Sequence, residues 1–413
     1  MRRTCRVRRA GAAVAVIAAT TGVSATAMAA DEAPADWVDA VKFSGHFDGG
    51  ITFNPDSPAD GINFGHLFTD RANLPVLNQL MLTAERPLDP KATGYDLGFK
   101  LQGMYGTDAR FTHSFNLFDR SINSRYQFDI VEANGLVHLP VATEGGIDVK
   151  AGIFPSPMSA ETIDATGNTF YSHSYIFNFG VPFKNTGFLA TAHATSLLDL
   201  YLGADTGVNA FLGEKGDNND ALAGQFGLGL NLLEGNLTVQ ALSHIGPENP
   251  EGTPGVNVNS ALRYINDIVV TWKITDKLTS ITDLNYIHDD GLHASGGGVA
   301  QYLTYALSDQ WTVGGRAEIW RDANGAFVAK FPANFDFVNA ERGFPNTAVS
   351  GGKTTYGELT LGANYKPGFA KPFDGLVIRP ELRVDDALNG TKPFTNGTSS
   401  HQVTIAADLI LPF

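Results

Sequence analysis

The last eleven residues of this 413-residue chain place an apolar side chain at every second position. The apolar positions run to the carboxyl terminus as Val403, Ile405, Ala407, Leu409, Leu411 and Phe413. The phase between them carries polar residues, among them Gln402, Thr404 and Asp408. A period of two indicates a β-strand whose faces meet different environments, because successive side chains point to opposite faces. The fold must therefore offer an apolar environment on one side of this strand and a polar one on the other.

The same alternation recurs along the chain in segments that turn residues separate. Sixteen segments can be distinguished, with approximate centres at residues 48, 80, 99, 131, 149, 190, 203, 227, 240, 269, 283, 303, 316, 360, 381 and 407. The weakest include the one near 131, where Glu132 falls in the apolar phase of Phe128 and Ile130, so we expect a β-bulge or a shifted register there.

The connections between these segments are alternately short and long. Short ones include Ser196, Glu234-Gly235-Asn236, Thr275-Asp276-Lys277 and Ser308-Asp309-Gln310. Long ones are found at 55–73, 107–124, 155–184, 247–261 and 323–352. In an outer-membrane barrel the periplasmic turns are short and the external loops are long. The sequence therefore predicts an all-β fold, a transmembrane antiparallel β-barrel of about 16 strands, with 14 to 18 compatible with the pattern.

The amino terminus has the organisation of a secretory signal peptide over residues 1–29. Five arginines precede an apolar stretch, and Ala27-Met28-Ala29 supplies a small-residue cleavage site. The alternative is a single membrane anchor, since the apolar stretch approaches the length that spans a bilayer. With the signal peptide removed, residues 30–41 become a short periplasmic segment and residues 42–413 form the barrel.

A soluble all-β protein, such as a sandwich, jelly roll or β-helix, would also contain alternating strands. Three features favour the membrane barrel: the signal peptide, the alternation of loop lengths and the aromatic carboxyl terminus. Trp272, Trp311, Tyr365 and Phe413 lie near short turns in the apolar phase, as expected of an aromatic girdle at the periplasmic interface. A barrel of sixteen strands is too wide for side chains to fill, so we expect an aqueous channel.

The overall charge excludes one class of partner. The chain carries a net charge of −14, which becomes −19 when the five signal-peptide arginines are removed. Nucleic acid binding requires a basic surface, so no nucleic acid partner is expected.

Three stretches carry a resemblance to known proteins. They are the closing "HQVTIAADLILPF", the stretch "GIFPSPMSAETIDATGNTFYSHSYIFNFGVPFKNTGF" at 152–188, and "VIRPELRVDD" at 377–386. The closing strand, which ends in Phe413, resembles the signature by which the barrel-assembly machinery recognises outer-membrane barrels. The other two stretches resemble the OmpL-like β-barrel porins. The resemblance implies a pore in the outer membrane of a Gram-negative cell, surrounded by outer-membrane lipid. It does not imply a particular solute.

The long connection at 155–184 is the third external loop in this count and is placed like the loop that narrows the pore of general porins. It carries the acids Glu161 and Asp164 and the aromatic residues Tyr171, Tyr175, Phe177 and Phe179. Four arginines lie in the inner phase of predicted strands: Arg263, Arg316, Arg379 and Arg383. Acids on one side of a constriction and arginines on the other would set up a transverse field that aligns polar solutes.

A structural role for the same residues is equally compatible with the sequence. Arg379, Glu381, Arg383 and Asp385 alternate in sign on one strand face, so they can pair with each other and with neighbouring strands to hold a wide barrel rigid. The loop aromatics can form a stacking track for sugars, although a small core within the loop is the better-supported interpretation.

These observations lead to a hypothesis of an outer-membrane porin for passive diffusion of small hydrophilic solutes and ions. The alternatives are a carbohydrate-selective channel and a non-conducting structural or adhesion barrel. We expect no catalytic residues, since no motif for a nucleophile or a metallohydrolase is present, and no metal or cofactor, since no histidine has a partner at ligand spacing. A homo-oligomer, in particular a trimer, is expected only by analogy with other sixteen-stranded porins.

Overall fold

The computed structural model describes residues 37–90, 92–213 and 217–413. The predicted signal peptide at 1–29 lies outside the described residues, as does most of the segment 30–41. Trp37–Ala40 form a single 3₁₀ turn.

Sixteen antiparallel strands pair in sequence and close into one barrel, in which the last strand pairs with the first. Two further strands, β14 (Ala329–Lys330) and β15 (Val349–Ser350), form a separate ribbon within one loop. The barrel strands are β1 (Lys42–Phe53), β2 (Val76–Arg86), β3 (Asp96–Gly106), β4 (Gln127–Leu139), β5 (Ile147–Pro155), β6 (Lys184–Thr195), β7 (Leu198–Asp205), β8 (Ala223–Leu232), β9 (Leu237–Pro247), β10 (Leu262–Lys273), β11 (Leu278–Asp289), β12 (Ala294–Ala306), β13 (Trp311–Asp322), β16 (Thr354–Tyr365), β17 (Val377–Ala387) and β18 (His401–Pro412). All sixteen predicted centres fall within these strands, so the predicted architecture is confirmed.

The helical elements are short and lie in the connections. They are α1 (Ala109–Thr112), α2 (Asp336–Glu341), α3 (Phe394–Gly397), a π-helical turn at Ile176–Gly180 and 3₁₀ turns at Ala165–Gly167 and Leu233–Gly235. Among the described residues, no helix is long and apolar enough to cross a membrane.

Side chains of the barrel strands alternate between an exposed apolar outer face and a polar inner face. Leu202 on β7 is 65% exposed on the outer face, whereas Arg316 on β13 is 0% exposed on the inner face. The predicted irregularity near residue 131 is a β-bulge: Gln102 pairs with Glu132 but Gly103 pairs with Ile130, which leaves Val131 as the extra residue. The bulge turns Glu132 inward while Ile130 stays on the outer face.

The carboxyl terminus closes the barrel at the end that carries the short turns. The Phe413 amide donates to the Gly45 carbonyl (2.9 Å), and the Gly45 amide donates to the Phe413 carbonyl (3.0 Å). The Phe413 ring lies across Gly45, where a Cβ atom would be 2.6 Å from the ring and 2.6 Å from the Met81 carbonyl oxygen. Only glycine leaves room for this ring.

The interior of the barrel at the long-loop end contains an apolar core. Loop residues such as Phe68, Phe111 and Phe331 pack there against inward side chains of the strands, including Met81 and Trp320. The sequence led us to expect an aqueous lumen because strand side chains alone cannot fill so wide a barrel. The loops supply the missing volume in this part of the barrel, because they fold into it and carry their own aromatic residues.

Candidate functional site

The segment between β5 and β6, residues 156–183, lies inside the barrel and contacts inward side chains from several sides. This segment is called the inner loop below. On one side, Gln79 of β2 donates to the Ile163 carbonyl (2.7 Å) and accepts from the Ala165 amide (3.1 Å). On another, the Ala160 amide donates to Asp283 of β11 (2.8 Å). An irregular buried segment needs such partners, because its backbone groups have no ladder to pair with.

Arg316 on β13 makes the most extensive contact with the inner loop. Its Nη1 donates to Glu161 Oε1 (2.6 Å) and to the Ser172 carbonyl (2.8 Å), while its Nε donates to Glu358 of β16 (3.0 Å). The guanidinium carbon also lies 5.4 Å from the centre of the Phe170 ring. Burial alone would raise the pKa of Glu161, but the nearby Arg316 charge holds it below its ordinary value. Glu161 therefore stays ionised within the barrel.

Arg379 and Arg383 on β17 also donate to carbonyl groups of the inner loop. Arg379 Nη1 reaches the carbonyls of Ala165 (3.0 Å) and Asn168 (2.7 Å), and its Nε donates to Asp408 (3.0 Å). Arg383 Nη1 reaches the His173 carbonyl (2.5 Å). Both arginines are buried, so every one of these charges is desolvated together with its partner.

Three acids complete the contact around Arg383 and Arg316. Asp385 accepts from Arg383 Nη2 (2.7 Å), and Glu381 accepts the amides of Tyr171 (2.9 Å) and Ser172. Glu318 on β13, which the sequence analysis did not single out, accepts the amides of Tyr175 (2.7 Å) and Ile176 (2.9 Å). Glu381 and Glu318 thus cap backbone N–H groups of the inner loop, whereas Asp385 binds the Arg383 guanidinium.

The loop aromatics divide into a buried group and one exception. Tyr175 stacks on Tyr356 with ring centres 4.7 Å apart and donates to Asp385 (3.0 Å). Tyr171 donates to Asn78 (2.8 Å), and Phe177 packs against His173. Phe179 instead borders a cavity at the long-loop end. Three of the four are thus enclosed by protein, as in a core.

The His173 ring lies in a buried, largely aromatic part of this core. It lies 4.7 Å from the rings of both Phe68 and Phe177. Burial, opposed in part by Glu161, lowers the pKa of His173 to about 4. The imidazole is therefore neutral at physiological pH.

The structure brings together most of the predicted site residues, but not all of them. Asp164 accepts from Gln102 of β3 (3.1 Å) and makes no hydrogen bond or ion pair with the arginines of β13 and β17 among the described residues. Arg263 on β10 does not touch the inner loop through a hydrogen bond or ion pair among the described residues. It donates from Nε to Asp289 (2.8 Å) and borders the same cavity as Phe179.

A second charged surface, on the inner face of β3 to β7, was not singled out from the sequence. Lys100 pairs with Glu132 (2.8 Å), and His193 pairs with Asp199 (2.7 Å). The Lys100 side chain is 29% exposed and that of Asp148 is 36% exposed. The only signal for these residues was their polar phase, which they share with the buried arginines. A buried Lys184 at the start of β6, bound to Asp129 on β4 (2.8 Å), was also missed.

The described residues hold no group of three or more histidine, cysteine or acidic side chains that could bind a metal ion. The arrangement instead offers two kinds of inner surface. One joins strands to the inner loop through buried ion pairs, and the other presents partly exposed charges of both signs.

Comparisons with solved structures identify the fold. The outer membrane channel DcaP of Acinetobacter baumannii superposes with a TM-score of 0.53 at 12% identity, covering 90% of this chain and 97% of that one. OprB of Pseudomonas putida gives 0.54 at 13% identity, covering 91% and 95%. An anion-selective porin from Comamonas acidovorans gives 0.55 at 9% identity, covering 90% and 99%. At these identities the likeness is one of fold alone.

Among curated protein sequences, none is similar enough to this chain to count as a relative. One family model does match, over residues 40–413, and it is described as "Putative beta-barrel porin-2, OmpL-like". The match spans the whole barrel, including the inner loop and the closing strand. The chain therefore belongs to the OmpL-like β-barrel porin family.

Proposed function

We propose that this protein is an outer-membrane porin, not an enzyme, through which small hydrophilic solutes and ions diffuse passively. The observation that carries the proposal is the partly exposed, mixed-charge inner surface on β3 to β7. Charges of both signs in a closed barrel, such as Lys100 and Asp148, are compatible with water in the lumen beside them.

Planar-bilayer recording of the mature protein tests this proposal directly. We expect discrete, ion-sized conductance steps and a measurable reversal potential in a salt gradient. Folded protein that inserts into the bilayer but gives no such steps would contradict the porin assignment.

The second candidate is a non-conducting structural or adhesion barrel, and the apolar core at the long-loop end favours it. If this core closes the lumen permanently, no conductance will appear in any variant that keeps the inner loop. A variant lacking residues 160–178 would then conduct while the full-length protein would not.

A carbohydrate-selective channel has less support. Tyr171, Tyr175 and Phe177 are enclosed by protein, so sugars have no access to their ring faces. Block of the conductance by millimolar glucose or maltodextrin would nevertheless favour that alternative over general diffusion.

We further propose that the inner loop forms the constriction. The eight residues put forward from the sequence would act there in different ways: Glu161, Asp164, Arg316, Arg379, Glu381, Arg383 and Asp385 by setting the position of the loop, and Arg263 by lining the mouth. Their support is the set of contacts described above.

Location and assembly follow from the same proposal. Residues 1–29 would direct export and be cleaved, after which the barrel would enter outer-membrane lipid through the barrel-assembly machinery. Phe413 would serve as the assembly signal. Deleting Phe413 should lower the yield of folded, heat-modifiable barrel in outer membranes, because both closing hydrogen bonds to Gly45 are lost. Phe413→Trp, which keeps an aromatic terminus, is the control.

We also infer a homo-oligomer, with a trimer as the expected state. The support is a set of polar side chains at outer positions of β9 to β12: Ser243 donates to Asn266 (2.7 Å), and Thr282 donates to Gln301 (2.7 Å). Polar groups are costly against lipid tails, so this face is better suited to contact with another subunit. Native mass spectrometry in mild detergent tests it. A monomer throughout would contradict the inference.

A further inference from the structure

A cavity of about 420 Å³ lies among the long loops, and Arg316, Arg379 and Arg383 do not line it. Phe179 of the inner loop, the start of the β9–β10 connection at Glu248 and Asn249, and Phe331 with Glu341 from the connection after β13 all border it. Its rim includes the exposed residues Gly252, Pro254 and Leu292, so it faces the solution at this end of the barrel.

Four oxygen atoms on residues that line this cavity have no hydrogen-bond donor among the described residues. They are Asn178 Oδ1, Asn218 Oδ1, Asn249 Oδ1 and Glu248 Oε1, and each residue is less than a tenth exposed. Buried acceptors without a donor keep their negative partial charge uncompensated, so they add to the negative potential around this cavity.

The other polar atoms of these side chains are already occupied, which fixes the orientation of the oxygens. Asn249 Nδ2 donates to Asp289 (3.0 Å), and Asn218 Nδ2 donates to the Glu248 carbonyl (3.0 Å). Glu248 Oε2 accepts from the Val208 amide (2.8 Å). The oxygens, and not the N–H groups, are therefore the parts of these amides without a partner among the described residues.

The charge of the cavity favours a cation. Arg263, the arginine on its wall, is paired with Asp289. Glu341 accepts only from Asn209 Nδ2 (3.0 Å), and within the described part of the chain no basic side chain lies within 4 Å of it. The nearest basic atom to Glu248 is His244 Nδ1 at 3.8 Å, and that ring is hydrogen-bonded through Nε2 to Asp205.

The remaining wall is aromatic. Phe179, Phe331 and Phe337 border the cavity together with the two acids. Aromatic faces attract ammonium groups and tolerate short apolar chains, whereas they offer nothing to a free anion.

We propose that this cavity binds small ammonium-bearing solutes, attracted by the charges of Glu248 and Glu341, by the partial charges of the nearby Asn178, Asn218 and Asn249 oxygens and by the aromatic wall. The proposal rests on the proposed porin function, since it names a class of solute that would be held at the mouth of the channel.

The two acids make binding dependent on pH. Burial raises the pKa of Glu248 to about 7, with His244 and Arg263 acting against the rise and Asp205 adding to it. Burial likewise raises the pKa of Glu341 to about 7, against Asn209 and Arg263 and reinforced by Glu248. A cation favours the ionised forms, so binding should strengthen as the pH rises through 7.

Calorimetric titration of the full mature protein, folded in detergent, tests the proposal with 1,4-diaminobutane against 1,4-butanediol. We expect the diamine to bind at pH 8, to bind at least tenfold more weakly at pH 5.5, and the diol not to bind at millimolar concentration. Equal binding of the two compounds, or no heat with the diamine at pH 8, would overturn the proposal. This comparison needs no variant and no conductance, so it can fail while the porin function stands.

A double variant locates the site. In E248Q/E341Q, with unchanged thermal unfolding as the check on folding, the diamine should bind at least tenfold more weakly at pH 8. Glu251→Gln is the matched control, since Glu251 is an exposed acid in the same connection that does not line the cavity. Diamine binding that the double variant leaves unchanged would mean that it occurs elsewhere.

Discussion

Two parts of the barrel wall carry similar numbers of inward charges but use them differently. On β13 to β18, Arg316, Arg379 and Arg383 are buried and donate to carbonyl groups of the inner loop. On β3 to β7, Lys100 and His193 pair only with neighbouring strands and remain about one-third exposed. The same alternation in sequence thus produces an anchor where charged side chains contact the inner loop and a partly exposed surface where they pair only with neighbouring strands.

The difference has an energetic side. Breaking an ion pair that is desolvated on all sides strongly destabilises the fold, because removal of one partner leaves an uncompensated buried charge. A pair in contact with water contributes little, because solvent screens it and can replace either partner. The two walls should therefore respond very differently to the loss of a single charge.

The largest expected effect comes from Arg316→Met. It would leave Glu161 and Glu358 buried without their partner, which costs about 3–5 kcal/mol. We expect a lower free energy of unfolding in urea and a larger, noisier conductance as the inner loop comes free. Asp199→Asn is the matched control on the other wall, where the pair with His193 is about one-third exposed on both sides and is worth about 1 kcal/mol or less. Similar losses in both variants would mean that the two walls do not differ.

A smaller effect on the free energy of unfolding is expected at Asp108, in a contact between the barrel wall and the inner loop that involves no cationic side chain. Asp108 accepts from Gln79 Nε2 (2.9 Å), the side chain that also holds Ile163 of the inner loop, and from Asn78 Nδ2 (2.8 Å). Burial raises the pKa of Asp108 from 3.8 to about 7. The folded state therefore binds this proton more tightly than the unfolded state, and the resulting stability is lost as the pH rises from about 4 to 7.

This contact is tested by the pH dependence of unfolding. Between pH 5 and 6, Asp108 should contribute a fall of about 1.4 kcal/mol in the free energy of unfolding. In Asp108→Asn the slope against pH should be shallower by that amount, whereas Asp220→Asn, at an exposed loop acid, should leave it unchanged. Identical slopes in Asp108→Asn and the parent protein would mean that Asp108 does not contribute to the pH dependence of unfolding.

Local pattern was sufficient to predict the sheet. The sixteen strands and even the bulge at Val131 are visible in the sequence because each depends on alternation within a few residues. The alternation of inward and outward positions also predicts that Arg316, Arg379 and Arg383 lie inside the barrel. It does not predict which inward residues contact the inner loop, because that depends on how the loop itself folds.

Individual residues show where that limit lies. Arg263 has the same parity as Arg316 but sits beside Asp289, away from the inner loop. Glu318 and Asp283 cap loop amides without any sequence signal that distinguishes them from other inward acids. The cavity at the long-loop end joins residues from six connections, and no local pattern links such distant stretches.

The smallest expected effect is on ion selectivity, to which charges on the two walls should contribute differently. If Arg379 and Arg383 contribute to a transverse field in the channel, replacing both with serine should shift selectivity towards cations. Since both arginines are buried against Asp408, Asp385 and the inner loop, we expect a larger shift per charge from Lys150→Gln, an inward residue of β5 that is less deeply buried. Reversal potentials in a salt gradient, at ionic strength low enough to limit screening, measure both. A greater shift per charge in the arginine variants than in Lys150→Gln would contradict this expectation, provided that the single-channel conductance is unchanged. It would mean that the buried arginines set the selectivity. The conductance is the control, because release of the inner loop would alter it.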